Sequence, residues 1–173
     1  MVMSNSLFSN SVLDTSIALL VPANHVLRPL EATDFRKGFM DCLSNLTVTG
    51  QVNEQMFVES FEEMQRAGGY FVIVVEDLQT ETIVASGTLV VEQKFLRGCG
   101  RVGHVEDIVV AKGQQGKRFG VTIVKQLVQI ANVTGCYKTI LDCDAENVAF
   151  YEKCGMQKKA VQMALYAPEA AHK

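Results

Sequence analysis

The chain has no apolar run near the roughly 20 residues that a spanning helix needs; stretches such as Ile17 to Val21 are far shorter. No membrane role is expected. Nor is there a basic excess: 16 Lys and Arg stand against 19 Asp and Glu, for a net charge of −3. That balance excludes a charge-driven grip on nucleic acid. No Cys-x-x-Cys pair occurs, and the three histidines are scattered, so no zinc site or other metal is expected. The five cysteines, Cys42, Cys99, Cys136, Cys143 and Cys154, are odd in number and irregularly spaced, which argues against a secreted disulfide framework. No Arg precedes Arg28, the start lacks a basic signal region, and the final Ala-His-Lys is not a peroxisomal address. A reducing intracellular compartment is expected, the cytoplasm first and an organelle by a nonstandard signal second.

What is present is the core of one domain. Hydrophobic residues make up 48% of 173, too many for disorder and enough to bury a core without staples. Residues 1–24 read as an extension with little periodicity, flexible unless docked, and residues 25–173 as a single domain. His25 to Arg28 predicts a short strand halted by Pro29. Phe35, Phe39 and Leu43 recur at four-residue steps and predict a helix over 32–44. Asn53 caps a second helix carrying Phe57, Phe61 and Met64, ended by Gly68-Gly69. Tyr70–Val75 and Thr82–Val91 are β-branched or aromatic runs around a polar turn, an antiparallel hairpin. Val105–Val110 is a third long strand. A helical stripe through Val121, Val124, Leu127, Val128 and Ala131 follows, then a short strand Thr139–Leu141, a short helix capped by Asp144 and closed at Gly155, and a last strand over 160–166. The order predicts an α/β (α+β) fold: one mixed, mostly antiparallel sheet flanked by helices.

The most informative stretch is Val105 to Gly120. A strand runs into Gly113, Gly116 and Gly120 with Lys117 and Arg118 between them, and a helix begins. Glycines let backbone approach a ligand, and free N–H groups at a helix start hold phosphate oxygens. The segment is not a Walker A loop, because Lys117 is followed by Arg118 rather than Ser or Thr, and it lacks Gly-x-Gly-x-x-Gly. Spacing alone leaves an ordinary strand–helix turn equally open.

Gln115-Gly116-Lys117-Arg118-Phe119-Gly120 resembles the Gln/Arg-x-x-Gly-x-Gly/Ala pyrophosphate loop of the GNAT superfamily of N-acetyltransferases, with Arg118 where the first glycine of that pattern stands. Three further blocks, Gly103–Val110, Gly135–Asp144 and Asn147–Gly155, are together similar to the glucosamine 6-phosphate N-acetyltransferase family, over about Val26 to Met163. The resemblance implies a GNAT fold, acetyl-CoA as cosubstrate, glucosamine 6-phosphate as acceptor on the route to UDP-N-acetylglucosamine, and a homodimer. It implies that Ile108, Val109 and Val110 meet the cofactor through a splayed strand. Gln115, Gly116, Lys117, Arg118, Phe119, Gly120 and Asn147 would also meet it. Thr47, Lys94 and Arg97 would face the sugar phosphate, and Glu106 and Asp107 its hydroxyls or amine. Asp142 would lie near the amine and Tyr151 would be the acid. Tyr166 stands where family members often carry a basic residue.

The chemistry of these residues agrees. An amine attacking a thioester needs no enzyme nucleophile. It needs oxyanion stabilisation and a proton for the departing thiolate. Asn147 and Tyr151, four apart, share one face of the short helix, and Phe150 and Cys154 another. A single tyrosine is more often a packing residue, and charged side chains are most often solvated. Cys143 has no histidine nearby in sequence and reads as structural. Two other functions remain open: an acyltransferase for another small amine or a protein amine, which would not need the Lys94/Arg97 pair, and a noncatalytic acyl-CoA-binding module.

Overall fold

A computed structural model describes residues 5–166. The chain divides into two compact units, residues 1–141 and 142–173. The first holds a five-stranded sheet in the order β1 (His25–Pro29), β2 (Tyr70–Asp77), β3 (Thr82–Gln93), β4 (Arg101–Val110) and β5 (Cys136–Ile140). The first three pairings are antiparallel and β4·β5 is parallel. This is the mixed, mostly antiparallel sheet that the order of elements predicts.

The central strands are buried on both faces, which explains their near-continuous apolar sequence. Ile73 and Val75 point to one face with Leu89, Val105, Phe119, Ile123, Leu127 and Ile130. Most of that layer comes from α5 (Phe119–Val133), which runs from Phe119 through the apolar stripe. Val72 and Val74 point to the other face, with Phe39 from α2 (Phe39–Leu43) and Phe57 and Phe61 from α3 (Glu54–Ala67). Asn53 caps α3 as expected, its side chain accepting from Met56 N–H at 2.9 Å. The expected helix over 32–44 is two pieces. A 3₁₀ segment over Ala32–Lys37 ends at Gly38, whose φ of 75° breaks the helix before α2 resumes.

The described part of the N-terminal extension is docked. Leu7 is buried and its N–H donates to Leu30 C=O at 2.8 Å, and Phe8 meets Phe71 edge-on. Asp14 caps α1 (Thr15–Ala18), and its backbone is bonded by the fully buried amide of Gln126 on α5. Residues 1–4 of the extension lie outside the described residues.

The second unit holds a 3₁₀ turn over Ala145–Asn147 and α6 (Val148–Lys153), with Gly155 just beyond at φ 90°. The strand expected over 160–166 does not form. Val161, Met163, Leu165 and Tyr166 are exposed and make no ladder, because an extended segment becomes a strand only against a partner edge. No helix among the described residues is long and apolar enough to cross a membrane.

One polar cluster ties the first unit together. Arg28 on β1 grips Asp34 with two bonds, at 2.7 and 2.8 Å, and Glu76 on β2 with two more. Lys37 reaches the other oxygen of Glu76 at 2.6 Å. Burial pushes the Glu76 carboxyl up, but the bonds from Lys37 and Arg28 outweigh it and hold it below the ordinary value. A depressed folded value stabilises above the unfolded value of 4.5, and that stabilisation is lost as pH falls through the folded one. Glu76→Gln should therefore lose about 2 kcal/mol at pH 7 and show a shallower loss of stability on acidification. Urea unfolding across this pH range measures both, and an acid limb as steep as in the wild type would remove Glu76 from it.

Candidate functional site

The chemistry-bearing part of the sheet is β4. Ser86 pairs with Val109 and Thr88 with Glu106, so Asp107 and Ile108 together oppose the single residue Gly87. This bulge carries Asp107 at φ 54°, a conformation that L-residues adopt at a cost. Gly87 accepts it because it has no side chain: a Cβ there would lie 2.5 Å from Ile123 and 2.6 Å from Ile108. On the other side, β5 pairs with β4 only from Arg101 to His104. Beyond that point, among the described residues, 105–110 have no strand on the β5 side. The N–H of Ala111 donates to Val84 on the β3 side, so by alternation the N–H of Val110 faces the open side, and Ile108 shares that parity. Val109 is buried and Ile108 and Val110 are half-buried, while Glu106 and Asp107 are exposed on the bulge.

The loop after β4 leads directly to the start of α5. Gly113 and Gly116 take φ of 81° and 84°. Gln115 folds back to accept from Gly113 N–H at 2.8 Å, and Asn45 accepts from Lys112 N–H at 3.1 Å, tying the loop to the end of α2. Arg118 is the residue before the helix, at φ 64°, and gives no side-chain cap. The first N–H groups of α5, on Phe119, Gly120 and Val121, therefore start a 15-residue helix without a side-chain acceptor. Phe119 and Gly120 are buried, and Gln115, Gly116, Lys117 and Arg118 are exposed. Uncapped N–H groups at a helix start are the kind that donate to phosphate oxygens, and Lys117 and Arg118 lie beside them. The spacing Gly-x-Gly-x-x-Gly does occur at Gly98–Gly103, but there it enters a strand rather than a helix.

Other expected site residues fall elsewhere. Thr47 lies beyond α2 and lines an open cleft of about 600 Å³ with Ser44, Val48, Thr49 and Gly50. Lys94 and Arg97 sit in the β3–β4 connection, which includes the short turn α4 (Leu96–Cys99), but do not converge. Arg97 and Cys99 have φ near +60°, and the Arg97 guanidinium lies over the Tyr137 ring at 5.8 Å. Lys94 instead bonds Glu92, whose second oxygen meets His104 Nε2 at 2.9 Å. The Lys94 bond first, then that of His104, holds the Glu92 carboxyl below its ordinary value. This carboxylate–cation group was not expected. His104 lies 12 residues from Glu92 in sequence, and the register Val90↔His104 makes the two diagonal neighbours across the hairpin. The bulge did leave a signal, the lone Gly87 inside a strand run.

Asp142, Asn147 and Tyr151 belong to the second unit. Asp142 and Asn147 are exposed; Tyr151 is half-buried and meets Phe150 edge-on at 4.9 Å. The short helix begins without a side-chain cap from Asp144, contrary to the expectation.

The chain is similar to known proteins over most of its length. The family model for the Acetyltransferase (GNAT) family matches residues 29–156. A glucosamine 6-phosphate N-acetyltransferase of Dictyostelium discoideum is 47% identical over 82% of this chain and 90% of its own. One from Arabidopsis thaliana is 47% identical over 81% of this chain and 95% of its own. The crystal structure of glucosamine-6-phosphate N-acetyltransferase from Arabidopsis thaliana superposes with a TM-score of 0.81 at 45% identity, covering 82% of this chain and 97% of that one.

The left-handed Arg118 explains why the related loop pattern has glycine at its position. Arg118→Gly should raise the unfolding free energy by about 0.5–1 kcal/mol, the relieved strain less the extra freedom of glycine when unfolded. Chemical denaturation measures it; an unchanged or lowered stability would mean that contacts of the Arg118 side chain outweigh the strain.

Proposed function

This chain belongs to the GNAT acetyltransferase family, and from that premise we propose that it transfers the acetyl group of acetyl-CoA to the amine of glucosamine 6-phosphate, giving N-acetylglucosamine 6-phosphate and coenzyme A. The observation that carries the substrate is the 47% identity, over four-fifths of the chain, to relatives named for that reaction. The geometry supports the cofactor class. A backbone cradle at the start of α5 suits a diphosphate, and the open edge of β4 suits the amides of a pantetheine arm.

The reaction needs no acyl-enzyme. The free amine of the sugar attacks the thioester carbonyl carbon, the C–N bond forms, and negative charge gathers on the carbonyl oxygen. An N–H on the open side of β4, from Ile108 or Val110, stabilises that oxygen. The C–S bond then breaks as Tyr151 gives its proton to the departing thiolate; the extra proton of the nitrogen passes to water, and water returns one to the Tyr151 phenolate. Val109 holds β4 to the core. Gln115, Gly116, Lys117, Arg118, Phe119 and Gly120 hold the diphosphate, and Asn147 the pantetheine arm. Asp142 orients the amine, with Glu106 and Asp107 on the amine and hydroxyls. Thr47, Lys94 and Arg97 take the phosphate, for which Lys94 must exchange Glu92 for the new anion. We further propose a homodimer, measurable by light scattering. The apolar alternation of Val161, Met163 and Leu165 is exposed and lacks a partner strand in one chain, which favours a second copy.

Two experiments follow. Glucosamine should be a much poorer substrate than glucosamine 6-phosphate, because Lys94 and Arg97 lose their anion. Equal kcat/KM for the two sugars would favour an acyltransferase of broader amine range. Tyr151→Phe keeps the ring and should keep acetyl-CoA affinity while kcat falls at least roughly tenfold, the low end for a general acid. Unchanged kcat in a folded variant, with chemistry rate-limiting, would make Tyr151 a packing residue.

A further inference from the structure

His25 opens β1 opposite Asp77, its register partner on β2. Its side chain is 7% exposed, and neither ring nitrogen has a hydrogen-bond partner. Asp77 Oδ2 is 3.8 Å from Nε2, too far for a hydrogen bond, and the other oxygen, Oδ1, accepts from Gln79 N–H at 2.9 Å. A buried polar ring that bonds nothing weakens a fold rather than strengthening it. What this side chain does offer is a flat surface. Its ring lies 4.9 Å, centroid to centroid, from the ring of Phe119 at a 49° tilt.

Phe119 is the first residue of α5 and is 1% exposed. Its backbone follows the left-handed Arg118 and provides the first N–H of the helix start, and the Lys117 ammonium lies 5.9 Å from its ring centroid. The loop itself is mostly exposed, so Phe119 is its one deeply buried side chain. Where that ring sits fixes where the N–H groups of Phe119, Gly120 and Val121 aim.

We propose that His25 is a positioning residue for acetyl-CoA: its ring is the seat on which Phe119 rests, and through Phe119 it holds the helix-start N–H groups in register with the diphosphate. The proposal rests on the reading of residues 115–120 as the coenzyme A loop. His25 touches neither substrate, so it acts on cofactor affinity and not on chemistry.

The test compares His25→Leu, which fills the space without a flat ring, with His25→Phe, which keeps the ring and removes the unbonded nitrogens. Calorimetric titration with coenzyme A should show roughly fivefold weaker binding for His25→Leu. His25→Phe should bind within about twofold of wild type and melt at a higher temperature, since an unpaired buried polar group is gone. In both variants kcat and the KM for the sugar phosphate should stay within about twofold, so that only the acetyl-CoA KM of His25→Leu moves. Wild-type coenzyme A affinity in His25→Leu would overturn the proposal. So would equal losses in the two variants, or a parallel shift of kcat and both KM values with a lowered melting temperature. Failure of wild-type protein to bind coenzyme A at all would instead overturn the loop reading.

Discussion

The candidate site depends on a missing side chain. Gly87 sits in the middle of β3 where Ile123 of α5 and Ile108 of β4 close over it, leaving no room for a Cβ. That close approach lets β4 place two residues opposite one. The extra residue is not absorbed without cost, since Asp107 must go left-handed. The bulge also changes the local course of β4 just past His104, where its pairing with β5 stops. A regular β4 would present a flush ladder on both sides. The bulged strand keeps β3 for support, and past His104 it pairs with no β5 residue.

Support for that arrangement comes from α5, which is apolar through most of its circumference and buries Ile123, Leu127 and Ile130 completely. A helix this deeply packed makes a rigid base for the loop in front of it. The loop can then carry strain: Arg118 adopts the left-handed conformation that its chemistry disfavours, and the helix holds it there. The docked N-terminal segment adds to this base. Gln126, fully buried in α5, bonds the backbone of Asp14, so residues ahead of β1 are fastened to the same helix that follows the glycine loop.

Much of this was legible in the sequence, for definite reasons. Tyr70–Val75 reads as a strand because it is buried on both faces and so carries no polar interruption. α3 is legible because Asn53 is a strong cap and the Gly68-Gly69 pair a strong stop. The glycine loop and the helix start after it were legible because glycine spacing and a helix start are local. What was not legible was nonlocal or conformational. The stripe Phe35, Phe39, Leu43 runs straight through Gly38 and hides the break there. Lys94 and Arg97 look like a pair at three residues' spacing, but left-handed residues between Arg97 and Cys99 send them to different partners. The link between Glu92 and His104 exists only through the hairpin register. Residues 160–166 alternate as a strand would, but alternation names no partner edge, and no strand forms there.

The distribution of polar bonds separates what stabilises the fold from what serves the site. Arg28, Asp34, Glu76 and Lys37 form a satisfied network in which each carboxylate oxygen meets a cation. That network lies between β1, β2 and the 3₁₀ segment, and it has every mark of a structural group. His25, three residues earlier on β1, is its opposite: buried, polar and bonded to nothing. Two neighbouring polar side chains on one strand, one saturated and one orphaned, are not explained by a shared demand for stability. Arg28 secures the strand, and the strand in turn fixes the place of His25. By strand alternation the Arg28 network lies on one face of β1 and the His25 ring on the other, where it meets Phe119.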